Sequence, residues 1–222
     1  MSIRVVTPPS AVIVKPSDLA GGYQDTDVQA QAVIAAVTET IDGPTGWLGR
    51  AIGPQTLELT LDGWHAHRHH HHWHEHPHAF RLPCPPIIAV ESVIYLDTDG
   101  NEQTVDATDY AVTDNLLWFT PVWTAPTLGC FPEPIRVQYK AGYNGTDGAA
   151  EGEAQTGAIP ARVKQAIMLT SQHMLNVGTE NLFLREVQVP DVETRQFTVT
   201  DQASALIEQT CERLLGGLRV YA

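Results

Sequence analysis

Nine of the ten histidines in this 222-residue chain stand close together, at His65, His67, His69, His70, His71, His72, His74, His76 and His78. Neutral imidazole ligates zinc, nickel and copper, so the segment has metal affinity by composition alone. An ordered zinc site needs about four ligands at tetrahedral angles, usually delivered from more than one element. Here the ligands are contiguous and in surplus, between strand-like stretches at 57–61 and 79–82. The segment therefore reads as a solvated hairpin tip with adventitious affinity, for which His69, His71, His74 and His76 are the candidate ligands. His-Glu-x-x-His is absent, and Trp73-His74-Glu75-His76-Pro77 puts proline where a zincin helix has to continue. Protonating all ten histidines takes the formal charge from −13 to −3, which makes the tip a candidate pH-dependent surface. A metal-binding protein or metal-dependent enzyme built on residues 65–78 is the alternative reading.

The remaining chemistry is thin. Asp97-Thr98-Asp99-Gly100-Asn101-Glu102 places its glycine too early for an EF-hand loop and reads as a hairpin turn. Glu91, Asp97, Asp99, Glu102, Asp106, Asp109 and Asp114 offer carboxylates but no pair with distinct acid and base roles, and they read as a solvated sheet face. No Gly-x-Ser-x-Gly elbow and no glycine-rich phosphate loop is present. Cys84, between Pro83 and Pro85, reads as a small packed side chain, and His173 as a structural residue on a helix. The sequence implies no catalysis and no cofactor.

Charge narrows the partners. Net charge is −13, of which residues 51–145 carry −7, and no Lys or Arg occurs between Arg81 and Arg136. Such a field repels nucleic acid and anionic membranes. The three cysteines, Cys84, Cys130 and Cys211, are widely spaced and suit a reducing compartment. Pro8-Pro9 interrupts the opening before an apolar signal-peptide core can form, and no run approaches the ~20 apolar residues of a membrane helix. Synthesis in the cytoplasm is the expectation.

These residues must be positioned by helical ends around a β-rich middle. An extended N-terminal arm spans 1–24. Asp25 or Asp27 caps a helix near 25–41, with Val33, Val37 and Ile41 on one face, and Asp42-Gly43-Pro44 ends it. Residues 56–61 alternate strictly, and runs at 90–96, 110–112, 116–119 and 135–139 complete an antiparallel set. Residues 144–158 are rich in Gly, Ala and Glu and read as a flexible loop. Pro160 at helix position N1 opens a helix near 160–177, with a stripe of Val163, Ala166, Ile167, Thr170 and Met174. Residues 179–199 carry two strand-like pieces, 183–189 and 196–199. Thr200 or Asp201 caps a last helix near 201–215, with Ala203, Leu206, Ile207, Thr210 and Leu214 helically spaced. The fold class is α+β: a helical bundle (25–50 and 159–222) with an inserted antiparallel β domain (51–143).

The ordered set Thr45-Gly46 with Gly49-Arg50-Ala51-Ile52, Pro54-Gln55-Thr56-Leu57-Glu58-Leu59, Leu82-Pro83-Cys84-Pro85-Pro86-Ile87, Val90-Glu91-Ser92-Val93-Ile94-Tyr95, Asp109-Tyr110, Arg136-Val137 through Ala141-Gly142-Tyr143, and Ile159-Pro160-Ala161 through Gln165-Ala166-Ile167 carries a resemblance. From about Asp25 onward the chain resembles the head–tail connector, or adaptor (head-completion), proteins of long-tailed phages and gene transfer agents. It departs from their pattern at Trp47-Leu48, at the long histidine tip and at the long 144–158 loop. The resemblance implies a structural virion protein made in the host cytoplasm. It implies a ring, commonly twelvefold, at the neck between the portal and a tail-side neck or terminator protein, through which DNA passes without specific recognition. It makes Leu214, Leu218, Arg219, Val220 and Tyr221 portal-contact candidates, with packing inside its own bundle as the alternative for Leu214. Another neck or tail-completion ring is the neighbouring possibility.

Overall fold

A computed structural model describes residues 1–10, 12–64, 79–147, 149–176, 186–189, 193–196 and 201–220. The candidate ligands His69, His71, His74 and His76, and the portal-contact candidate Tyr221, lie outside that set. The chain divides into two compact units, one of Met1–Ala11, Asp42–Ile159 and Val220–Ala222, the other of Val12–Ile41 and Pro160–Arg219. The fold is α+β, with antiparallel sheets in the first unit and helices in the second.

The first unit contains β1 (Ser2–Thr7), β2 (Gln55–Leu61), β3 (Ala79–Arg81), β4 (Ile87–Leu96), β5 (Glu102–Thr104), β6 (Tyr110–Thr113), β7 (Leu116–Phe119) and β8 (Ile135–Ala141). One sheet runs β1-β2-β8-β4-β5 and the other β3-β7-β6. Period-two alternation is cleanest in β8, where Ile135, Val137, Tyr139 and Ala141 are buried and the residues between them are half-buried. Together with Leu57, Leu59, Leu82, Val93 and Leu117 they form the core. The alternation of β2 predicts one polar, solvated side, yet the whole strand is buried. The cause lies across the ladder: β1 lies antiparallel beside it, Arg4 pairs with Glu58 at 2.7 Å, and the Ser2 and Thr60 hydroxyls meet at 2.8 Å. Residues 2–7, read from sequence as part of an arm, are therefore an edge strand.

Residues 144–147 and 149–158 make several hydrogen bonds, among themselves and to the β unit. Thr156 donates its hydroxyl to the Gly142 carbonyl (2.7 Å), and Asn144 Oδ1 accepts the Thr156 amide (2.9 Å). The Ala154 amide donates to the Ile88 carbonyl (2.8 Å), and Glu153 pairs with Lys140 at 2.9 Å. Short polar side chains and backbone amides supply these contacts. The 97–102 segment is the expected turn, with Asp97 Oδ1 accepting the amides of Asp99 and Asn101.

The second unit holds α1 (Val28–Ile41), α2 (Ala161–Asn176), β9 (Glu186–Val189), β10 (Glu193–Gln196) and α3 (Asp201–Leu215). Asp27 caps α1, its Oδ1 accepting the amides of Gln29 and Ala30. Helices α1 and α3 both pack against α2. The buried stripe of α1 is Ala30, Ile34 and Val37; of the expected face Val37 is buried, while Val33 and Ile41 are half-buried at its margin. Pro160 precedes α2 rather than opening it, and its carbonyl accepts the Val163 amide. Met174 is 49% exposed, and Ser171 closes the α2 stripe in its place. On α3, Leu206 is 64% exposed, and the inward line runs through Ile207, Cys211 and Leu215 to Leu218.

Candidate interaction surfaces

Among the described residues no group of three or more His, Cys, Asp or Glu side chains is arranged to hold a metal. Cys84 is buried, in a positive-φ turn whose carbonyl accepts the Ala51 amide. Desolvation, and then the nearby Asp42 charge, push its thiol up to about 12, so it stays protonated at neutral pH and is no nucleophile. Tyr139 donates its hydroxyl to the Pro83 carbonyl at 2.9 Å and, being buried, is likewise driven above the ordinary phenol range. The Leu82-Pro83-Cys84-Pro85-Pro86 run is thus a packed corner of the β unit.

Asp42 was readable in the sequence only as a helix stop. It is 9% exposed, and its Oδ1 accepts the Ile52 amide at 2.7 Å and the Gln55 Nε2 at 3.0 Å. Burial raises its carboxyl above the ordinary 3.8 despite those hydrogen bonds. The folded chain therefore holds this proton more tightly than the unfolded chain. Asp42 adds stability below about pH 4 that is lost as pH rises through the raised value. Asp42→Ala leaves two buried donors unpaired, and urea titration is expected to show a loss of roughly 2–3 kcal/mol. A loss below about 0.5 kcal/mol would mean that water replaces the carboxylate.

The portal-contact candidates separate in the structure. Leu214 is half-buried, Leu218 is buried, and Arg219 is exposed. Val220 donates its amide to the Leu48 carbonyl at 2.8 Å. Its own carbonyl lies where a Cβ on Gly49 would come within 2.6 Å, and Gly49 has φ +60°. This close approach gives the Gly46–Gly49 motif a physical reason: a side chain at 49 would push the terminal segment off.

Three further surfaces belong to the β unit. The outer edge of β1 carries Val5 and Val6, each 44% exposed. Residues 97–114 hold six carboxylates and no Lys or Arg. A groove of about 560 Å³ lies between the start of β4, β6 and the 152–156 loop. Trp64 precedes the histidine segment and Ala79 and Phe80 follow it, all three buried. Replacing residues 66–77 by a short Gly-Ser linker is therefore expected to shift the melting temperature by no more than about 3 °C. A larger fall would show that the segment packs against the unit.

No family model matches the sequence, and no curated protein matches it. Solved structures do match. The chain is similar to one in the neck of a native gene transfer agent particle computed with C12 symmetry, at a TM-score of 0.59 and 15% identity. It is similar also to chains in the neck of an empty gene transfer agent particle computed with C6 symmetry, and in the virion of the native particle, each at 0.56 and 15%. In every case the alignment covers 100% of this chain and 97% of the other. At that identity the shared property is the fold, over its full length. Among the described residues no helix is long and apolar enough to cross a membrane.

Proposed function

We propose that this chain is a structural protein of the virion neck: a subunit of the adaptor ring that joins the portal of a DNA-filled head to the tail and extends the DNA channel. The observation that carries this reading is the end-to-end likeness to neck chains, including one from a neck with twelvefold symmetry. The net charge of −13 suits a ring through which DNA slides without sticking. The raised thiol of Cys84 removes that side chain as a nucleophile. The terminal segment around Leu214, Arg219, Val220 and Tyr221 is the portal-facing part of the proposal. Leu218, being buried, supports that segment from within.

Arg219→Glu combined with Tyr221→Ala tests it. The variant is expected to melt like the parent yet to yield DNA-filled heads without tails when it replaces the parent in particle production. Normally tailed particles would remove the portal contact. Antibody label confined to the capsid shell or the distal tail would remove the neck assignment itself.

A further inference from the structure

Two unpaired strand edges meet in the β-unit groove. β8 pairs along one side of β4 from Ile87 to Tyr95, whereas β5 joins the other side only from Ile94 to Leu96. β6 pairs with β7 and with no other described strand. The 152–156 loop takes one group of this edge, the Ile88 carbonyl, through the Ala154 amide. On that other side no described strand lies beside Ala89 to Ser92. A bare edge of this kind is a template for a further strand.

The helical unit has the complementary deficit. β9 and β10 pair antiparallel with each other and with no other described strand, so among the described residues neither outer edge carries a further strand. A lone hairpin is marginally stable in water and gains most from an added sheet. β6, β9 and β10 are each four residues long, about 13 Å of strand, so their lengths match.

We propose that the β9–β10 hairpin of one copy adds to the open edge of β6 in the groove of a neighbouring copy. The occupant is a second copy because one chain carries both the bare edge and the lone hairpin, and no ladder among the described strands pairs the two. Main-chain hydrogen bonds supply the affinity in strand addition. Donor and acceptor are different surfaces, so the contact is head to tail, and it closes into a ring when the rotation per subunit allows. The inference rests on the neck reading only for the existence of an assembly.

Cysteine cross-linking in purified particles tests the pairing, on a Cys130→Ser background because Cys130 is exposed. Ala111→Cys in β6 is combined in turn with Val187→Cys, Gln188→Cys and Val189→Cys in β9. Oxidation is expected to give a ladder of disulfide-linked multimers with a period of two, at Gln188 alone or at Val187 and Val189 alone. Disulfides within single chains, or no ladder while the neck ring is visible by electron microscopy, overturn the inference and leave the neck reading standing. If the chain is absent from the neck, that reading falls. The ladder is then sought in concentrated purified protein, where its absence overturns the inference too. A second variant, Ala89→Trp added to the Ala111→Cys pairs, fills the groove from the β4 side and is expected to abolish the ladder without moving the melting temperature. A ladder that persists counts against the groove.

Discussion

Gly142→Ala is expected to unfold the β unit at growth temperature, with a loss of roughly 2–6 kcal/mol, compared with the 5–15 kcal/mol that holds a typical domain together. Gly142 has φ +125°, and a Cβ there would sit 2.3 Å from the Gly53 carbonyl oxygen and 2.8 Å from the Pro54 nitrogen. Those are backbone atoms, and they have no room to yield. Gln55, the next residue, is paired with Ala141 at the start of β2, so retreat of 53–54 breaks the β2–β8 ladder. The same corner is tied twice more, Gly142 donating to the Pro86 carbonyl (2.8 Å) and Tyr143 to the Ile52 carbonyl (3.0 Å). A urea midpoint close to the parent's would show that the corner is softer than its geometry implies.

Trp64→Ala is expected to remove about 3–5 kcal/mol. The indole meets Tyr95 and Phe119 edge-on at 5.7 Å and Trp123 at 5.1 Å. Its Nε1 donates to the Pro126 carbonyl at 3.0 Å, fixing the 123–128 stretch beneath the sheet. Trp64→Phe keeps most of the apolar contact and loses the hydrogen bond, so about 1 kcal/mol is expected for it. Chemical denaturation, with near-ultraviolet circular dichroism for the aromatic cluster, checks both. Equal losses for the two variants would assign the effect to the hydrogen bond instead of to packing.

Local grammar was legible where one residue decides the outcome. An aspartate cap, left between Asp25 and Asp27 and found at Asp27, the turn at Asp97, and the alternation of β8 follow from chemistry confined to a few neighbours. Helix faces were harder: α1 has apolar residues on several sides, so Val33 and Ile34 were equally good guesses until α2 covered one of them. On α3 the exposed Leu206 shows the same ambiguity one residue out of phase. Partners remote in sequence were not legible at all. Ser2 faces Thr60, and Val220 meets Leu48, and no short window encodes either pairing. The groove was invisible for that reason, since an open edge is defined by strands that fail to arrive. The portal-contact candidates came from a resemblance, and the sequence could not tell that Leu218 faces inward.

Anchoring both stems of the histidine segment in the aromatic core has a practical consequence. Trp64 on one side and Phe80 on the other fix where the chain departs and returns, and doubling the length between them adds only about 0.6 kcal/mol of closure entropy. Foreign peptide can therefore be spliced in at this point at little thermodynamic cost. An epitope or a small fluorescent module grafted there would mark the protein for imaging.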